Sequence, residues 1–387
     1  MKNMKTIKKF KYLLPVFTSV LYLSGCSSSA ASLDKTGLEY YRLGNYTEAS
    51  DSFDAAIHKD NSKAEYYIHY AFAYIELGDY QNALSKIDSA LELDPNSQEA
   101  YRCQGIIYIA LNQYENAIAS LEKALDFAEG FVGQMEFDIL DYRSLAELKS
   151  NQYQKAIDTY SILIDIDYKP GEHYYLRGIA YLMEGNTEAA LSDFEAALNA
   201  NDATYERYLN IYTCLAQYGY LEQATSYLEK ALTLETSKQE DAFSKGKIYY
   251  YLGNYENALS YFSTARDKGN HEALLYLGKI YASQGDTNTA FLTFEQYVQT
   301  GSVSGEVYNQ MGIIKFNQGD YASALSYFET GLGLNDLNSK KALLYNEAIT
   351  YEYLLDFDTA ASKMAAYVAA YPDDYAAKRE NEFLKTR

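Results

Sequence analysis

The chain has 387 residues, with 43 Tyr, four Pro, three Cys and a formal net charge of -20 at pH 7. An acidic surface of this kind repels phosphate backbones and anionic headgroups, which argues against nucleic-acid binding and against broad electrostatic docking on membranes. The scarcity of Pro, the abundance of Ala, Leu, Glu and Lys, and the lack of alternating β-branched residues favour helix throughout the chain.

The first 26 residues differ in character from the rest. Five Lys precede an apolar run over residues 13–23, which closes on Leu23, Ser24, Gly25 and Cys26. This run is too short for a comfortable transmembrane span, and the segment resembles the signal peptide of bacterial lipoproteins. The resemblance implies that residues 1–25 are removed and that Cys26 carries a diacylglyceryl group, which holds the mature protein on the outer face of a membrane. An ordinary secretory signal with a chance Cys, or an uncleaved anchor, is the alternative.

The segment after the signal is predicted to be a short tether, over residues 26–33. Removal of residues 1–25 takes away five Lys and no acidic residue, so the formal charge changes from -20 to -25. Because such a body is strongly acidic, membrane attachment is expected through the lipid on Cys26 only. The two remaining Cys, Cys103 and Cys214, lie far apart in the chain and are predicted to be buried structural residues.

A motif returns about every 34 residues in the rest of the chain. It consists of a small residue, a Tyr two positions later, an Ala three further on and then a bulky residue. Copies include Gly44-Tyr46-Ala49-Phe53, Gly78-Tyr80-Ala83-Ile87, Gly185-Thr187-Ala190-Phe194, Gly253-Tyr255-Ala258-Phe262 and Gly319-Tyr321-Ala324-Phe328. A period of this length indicates a stack of two-helix units, each of which buries its apolar face only on its neighbours.

Alignment of the copies gives ten units that start at residues 30, 64, 98, 137, 171, 205, 239, 271, 305 and 341. Within each unit a bulky residue at position 4, small residues at 8, 20 and 27, and Tyr at 11 resemble the tetratricopeptide repeat. The resemblance implies an all-α superhelical solenoid of helix-turn-helix repeats. Small residues at positions 8 and 20 let the two helices approach, and about half of the Tyr occupy packing positions.

Departures from the pattern predict where the array is divided. The fourth unit starts late and has Ser144 and Glu147 at positions 8 and 11, so residues 129–136 form either a hinge or a longer second helix. We therefore predict an N-terminal block over residues 34–136 (repeats 1–3) and a C-terminal block over 137–374 (repeats 4–10). The tenth unit has Leu355 in place of the turn Gly, and residues 375–387 are predicted to form a capping helix.

The predicted partner-binding surface, here called the groove set, comprises positions 2, 5, 9, 12 and 13 of each first helix. In tetratricopeptide proteins this arc lines the concave face, and in this chain it is apolar and aromatic. Its members are Ile68, Phe72, Ile75, Ile106, Ile109, Tyr175, Ile179, Leu182, Phe243, Tyr250, Tyr251, Ile313, Phe316, Tyr345, Ile349 and Tyr353. Position 2 is acidic in eight units, which either complements the helix dipole or selects a ligand that carries Lys or Arg.

Catalytic motifs are missing from the sequence. The four His lie in four different units without metal-ligand spacing, and Arg102, Lys247 and Lys279 are isolated rather than grouped into a two-carboxylate clamp. We expect a protein that is not an enzyme and has no metal or cofactor. The predicted function is a scaffold or adaptor that binds proteins or peptides on the extracytoplasmic side of a bacterial envelope, through the concave face and without nucleic acid. A lipoprotein that captures peptide or glycan is the alternative.

Overall fold

The computed structural model describes residues 29–128, 130, 132–167, 170–234, 242–334 and 336–387. The predicted signal peptide, Cys26 and most of the tether lie outside the described residues. Throughout the described ranges the regular structure is helical, as the composition predicts. No helix among the described residues is both long enough and apolar enough to cross a bilayer.

Twenty helices pair into ten repeats, and one further helix follows them in the described residues. The first and second helices of the repeats are α1 (Ala30–Arg42) and α2 (Tyr46–Lys59), α3 (Ala64–Glu76) and α4 (Tyr80–Leu93), α5 (Gln98–Ala110) and α6 (Tyr114–Asp126), α7 (Gln134–Lys149) and α8 (Tyr153–Ile166), α9 (Gly171–Glu184) and α10 (Thr187–Ala197), α11 (Tyr205–Gln217) and α12 (Leu221–Ala231), α13 (Ala242–Tyr251) and α14 (Tyr255–Asp267), α15 (Glu272–Ser283) and α16 (Thr287–Gln299), α17 (Gly305–Asn317) and α18 (Tyr321–Gly333), and α19 (Leu337–Tyr353) and α20 (Phe357–Ala370). The last helix is α21 (Tyr375–Leu384), and a π-helical turn, Leu198–Asp202, follows α10.

Local capping explains where the helices begin. Six first helices start at the predicted residue, and the start predicted at residue 239 lies outside the described residues. Helix α7 starts three residues before its predicted position because the Glu136 side chain accepts a hydrogen bond from the Gly133 amide at 2.8 Å. Helix α19 starts four residues early because the Asp336 side chain accepts a bond from the Asn338 amide at 3.1 Å.

Each repeat turns between its two helices at a residue that lies one or two positions after the end of the first helix. This residue has positive φ in every repeat, and the residue two positions later starts the second helix. Seven repeats use Gly here, whereas Asn112, Asn151 and Leu355 adopt φ values of 58°, 61° and 62°. The turn therefore keeps its geometry even where the residue type is unfavourable.

In five of the ten repeats, a Phe ring of the second helix fills the space left by a Gly of the first helix. A Cβ atom placed on Gly246 would lie 2.6 Å from the ring of Phe262, and one on Gly178 would lie 2.7 Å from Phe194. Both rings are fully buried. Repeats with Ala at the same position pair it with a slimmer side chain, as in Ala71 with Ile87. The two positions therefore complement each other in volume.

The structure separates into two compact units, residues 1–166 and 167–387, of which the described parts contain α1 to α8 and α9 to α21. This division differs from the predicted boundary after residue 136, which stays a prediction. The longer second helix considered for repeat three is not observed, because α6 ends at Asp126 and α7 begins at Gln134.

The final helix α21 starts at Tyr375, the residue at which the capping helix was predicted. Asp374 caps it by accepting the Ala377 amide at 3.1 Å and also accepts the Tyr367 hydroxyl at 2.8 Å. Ala377 and Leu384 are buried against the last repeat, whereas Phe383 remains 40% exposed. Helix α21 thus covers the apolar end of unit two with one face and leaves the other in solvent.

Candidate functional site: the groove set of the first helices

The groove set is built from neighbouring first helices, which lie side by side within each unit. In unit one, His69 on α3 contacts Asp34 on α1 with an Nδ1–Oδ1 distance of 2.8 Å. Arg102 on α5 donates to Asp138 on α7 at 3.2 Å. Side chains of successive first helices therefore lie close enough to form one surface within a unit.

Burial divides the groove set into three groups. Ile68 and Leu182 are each only 3% exposed and pack in the core of their own unit. Tyr251 and Tyr353 are 39% and 52% exposed. The remaining twelve members are half-buried. A ligand could reach Tyr251 and Tyr353 without displacing neighbours, and the partner-binding role of the set stays a prediction.

Unit two brings several groove residues together in an aromatic cluster, here called the Tyr250 cluster: Tyr212, Phe243, Tyr250, Tyr251 and Tyr276. The ring of Tyr250 lies 5.5 Å from Tyr251 and 5.3 Å from Tyr276, both edge to face. Tyr251 lies 4.8 Å from Tyr212, and Phe243 lies 5.7 Å from Tyr276. The cluster spans repeats six to eight.

Two members of the Tyr250 cluster were missed by the sequence analysis. Tyr276 occupies position 6 of repeat eight, outside the groove positions. Tyr212 occupies position 8 of repeat six, where other repeats carry a small residue. A bulky residue at a small-residue position was the available signal, because it cannot fit between the two helices of its own repeat.

A second aromatic group lies at repeats nine and ten. Phe316 contacts Tyr353 edge to face at 4.8 Å and Tyr321 at 5.1 Å, and Tyr321 lies 5.2 Å from Tyr353. Tyr345 packs on Tyr367 at 5.5 Å. The aromatic members of the set are therefore supported by neighbours, whereas aliphatic members such as Ile109 pack on the core of their own unit.

The acidic column at position 2 is partly neutralised by basic side chains of neighbouring first helices. Asp138 binds Arg102, Glu172 binds Arg207, and Glu306 binds Lys279 at 2.6 Å. Arg102 and Lys279 are thus each held by a carboxylate of the neighbouring repeat. Glu240 lies outside the described residues. In three repeats the acid therefore links adjacent repeats, a role that neither sequence-based interpretation included.

Lys247 differs from the other basic groove residues. It lies in the groove arc of α13 with its Nζ 5.1 Å from the ring centre of Phe243. Burial lowers the pKa of its ammonium group, against the opposing effect of the Glu272 and Glu206 carboxylates. The ammonium group of Lys247 therefore lies beside Phe243, a member of the Tyr250 cluster.

The described His and Cys residues have structural surroundings. His173 contacts Asp167 at 2.9 Å, and Cys103 is buried, while Cys214 is partly buried. Burial raises the pKa of the Cys214 thiol to about 12, so it stays protonated at neutral pH. Over the described ranges, no three His, Cys, Asp or Glu side chains gather in a way that could hold a metal ion.

Comparison with known families agrees with the repeat geometry. A sequence model of the tetratricopeptide repeat matches residues 35–97, 71–130, 143–206 and 243–304, and a second tetratricopeptide repeat model matches residues 305–336. These matches cover well over half of the chain. The chain belongs to the tetratricopeptide repeat family, and its fold is suited to protein–protein interaction scaffolding.

Individual relatives are distant. The chain is 23% identical over 225 residues to the bovine BBSome complex member BBS4, which covers 57% of this chain and 42% of that protein. It is 31% identical over 114 residues to the human Tetratricopeptide repeat protein 6, covering 30% and 22%. The crystal structure of yeast Tom70 is similar with a TM-score of 0.48 and 17% identity, covering 92% of this chain and 88% of that one. The chain thus spans less than half the length of these two sequence relatives.

Proposed function

We propose that this protein is a non-enzymatic adaptor that holds a protein partner on the extracytoplasmic side of a bacterial envelope. The observation that carries the proposal is the Tyr250 cluster, in which half-buried rings surround the exposed Tyr251 on a family fold suited to protein binding. Aromatic side chains held by their neighbours lose little entropy on binding and supply large contact areas. A partner that covers these rings would remove apolar surface from water.

Attachment to the membrane is proposed to come from a lipid on Cys26. The support is the order of five Lys, an apolar run and a small-residue segment that ends in Cys. The strong negative charge of the repeat region would oppose binding to anionic headgroups. A covalent lipid would attach the protein to the membrane in spite of this repulsion. The proposed location is the cell surface in a bacterium with one membrane, or the outer membrane facing the periplasm in a bacterium with two.

Site-specific cross-linking in cells tests the adaptor proposal. A photo-reactive phenylalanine analogue would replace Tyr251 or Tyr353, and in a control Leu292, which is 58% exposed on the second helix of repeat eight. We expect a discrete cross-linked protein from the first two positions and none from the third. Equal cross-linking at all three, or none at Tyr251 and Tyr353, would refute binding through the groove set. Thermal stabilisation by short peptides or glycan fragments, with no cross-linked protein, would instead support a substrate-binding lipoprotein.

A further inference from the structure

The basic side chains of the groove region share one arrangement, with one exception. Arg102, Arg207 and Lys279 each contact a carboxylate of a neighbouring first helix. Lys247 occupies the same groove position in its repeat as Lys279 does in the next. No carboxylate oxygen of the described residues lies within 4.0 Å of its Nζ. A cation removed from water without a partner is costly, so this site can gain from an incoming anion.

The surroundings of Lys247 are aromatic on its own helix. Phe243 precedes it by one turn, and its ring centre lies 5.1 Å from the Nζ. Tyr250 and Tyr251 follow it by one turn on the same side of α13. Lys247 is partly buried and the Phe243 ring covers one side of its ammonium group, which strengthens a charge-assisted hydrogen bond to any carboxylate that reaches it.

The acidic residues nearby restrict the number of anions that can bind. Glu206 on α11 and Glu272 on α15 act on Lys247 electrostatically from the two neighbouring repeats, and both are exposed. Glu306, in the following repeat, is already bound to Lys279. One carboxylate can therefore meet Lys247, whereas a second beside it would face Glu206 or Glu272 and be repelled.

We propose that the groove of repeats six to eight binds a peptide segment that places a single carboxylate on Lys247 and an adjacent apolar side chain on the Tyr250 cluster. The segment is selected against polyacidic sequences by Glu206 and Glu272. This inference rests on the proposed adaptor function and specifies the chemistry of its partner. The carboxylate comes from an acidic side chain or from a peptide C-terminus, which offer Lys247 the same group.

Calorimetric titration of the full chain in detergent with defined peptides tests this proposal. Four eight-residue probes each carry one Phe. In three of them both ends are blocked and the central Phe is flanked by a single Asp, by a single Asn, or by three Asp. The fourth has no acidic side chain and ends on Phe with a free C-terminal carboxylate. We expect the single-Asp probe to bind about tenfold more tightly than the Asn probe, as for a partly buried charge-assisted bond. The three-Asp probe should bind more weakly than the single-Asp probe. Comparison of the free-carboxylate probe with the single-Asp probe identifies the source of the carboxylate: the tighter binder shows whether a peptide C-terminus or an acidic side chain is preferred.

Substitutions of Lys247 supply the decisive comparison. Lys247→Gln should abolish the preference for Asp over Asn, and Lys247→Arg should retain it. Lys279→Gln, at the equivalent position with an ion-pair partner, should leave the preference unchanged. A thermal melt identifies a variant that has lost its fold, and Lys247→Met, which also removes the charge, then decides in place of Lys247→Gln. Equal affinity for the Asp and Asn probes, a preference that survives Lys247→Gln, or tighter binding of the three-Asp probe would overturn the proposal.

The outcome is separable from that of the adaptor proposal. Cross-linking of a cellular partner at Tyr251 that persists unchanged in Lys247→Gln would leave the adaptor function standing and refute the role of Lys247. Loss of all groove cross-links would refute the adaptor function, and the peptide titration would still decide the carboxylate preference.

Discussion

At the scale of single residues, the turn of repeat ten shows how the array constrains the backbone. Leu355 has φ of 62° and is 75% exposed, at a position where seven other repeats have Gly. A left-handed conformation costs a residue with a side chain about 1–2 kcal/mol. The flanking helices hold Leu355 in place, because its amide still donates to Glu352 at 2.9 Å.

Leu355→Gly should therefore stabilise repeat ten. We expect a gain of about 0.5–1 kcal/mol, since relief of backbone strain exceeds the added entropy of Gly in the unfolded chain. Hydrogen exchange of the amides in α19 and α20 measures it locally. The matched control is Gly319→Ala in the preceding repeat, where φ is 79° and no atom would contact the new Cβ. Gly319→Ala should lower the protection of amides in its own repeat. Higher protection in Gly319→Ala, or unchanged protection in Leu355→Gly, would contradict the strain argument.

Repeat four contains a buried carboxylate where most repeats have Tyr. Glu147 is 2% exposed, accepts the Thr159 hydroxyl at 2.8 Å and lies 3.3 Å from the Arg143 Nε. Burial is the largest effect and raises the pKa of Glu147, although Thr159 and Arg143 oppose it. The folded chain thus binds a proton at this site more readily than the unfolded chain does.

The raised pKa of Glu147 determines the sign of a pH effect on stability. The contribution of this group is fully present below the unfolded carboxyl pKa, about 4.3, and is lost as pH rises through the higher folded value. Relative to the native chain, Glu147→Gln should become progressively more stable between pH 4 and 7. Urea unfolding across that range measures the difference. Exposed Glu115→Gln serves as control, and a difference for Glu147→Gln that stays flat or falls with pH would refute the assignment.

At the scale of helices, the two helices of a repeat fit through complementary volumes. Gly246 leaves space that the buried ring of Phe262 fills, while Ala71 is paired with the narrower Ile87. The second helix can therefore approach the first to the same extent in repeats with different residues. The complementarity connects the sequence pattern directly to the packing that positions the groove set.

Gly246→Ala should destabilise repeat seven by about 1–3 kcal/mol, because the new methyl would overlap the Phe262 ring. Phe262→Ile alone should also destabilise it, by leaving a cavity. The double substitution reproduces the pair found in repeat two and should lose less than the sum of the single changes. A double-mutant cycle by hydrogen exchange of α13 and α14 measures the coupling. Additive effects of the two substitutions would mean that the ring and the Gly do not share this space.

At the scale of the whole molecule, function depends on retention at a membrane as well as on the groove. The proposal places the only attachment at Cys26, because the remainder of the chain is acidic. Radiolabelled palmitate should be incorporated into the native protein, and the protein should fractionate with membranes. Cys26→Ala should lose both properties while its repeats stay folded by circular dichroism.

The control for this test is Cys103→Ala, which removes a buried thiol and should leave labelling intact. If Cys26→Ala carries no label but still fractionates with membranes to the same extent as the native protein, an uncleaved apolar segment holds the protein there. Label that remains in Cys26→Ala would show acylation at another residue.

The helical repeats and most of their start residues follow from the sequence, because the turn residue, the first residue of the second helix and the small packing positions act within one repeat. Tyr46, Tyr80 and Tyr255 begin their helices where the period predicts. Likewise, the packing of Phe262 against Gly246 can be predicted from the sequence, because both residues lie in the same helical hairpin. Exceptions such as the early start of α7 depended on a single capping side chain, Glu136.

Contacts between neighbouring repeats could not be read from the sequence. Tyr212, Tyr251 and Tyr276 come from three repeats, and their contacts depend on how adjacent first helices pack. The same holds for Glu306, which is neutralised by Lys279, and for Lys247, which meets no carboxylate among the described residues. A 34-residue period specifies which side each residue faces, whereas distances between repeats are set by the volumes of all side chains packed between them.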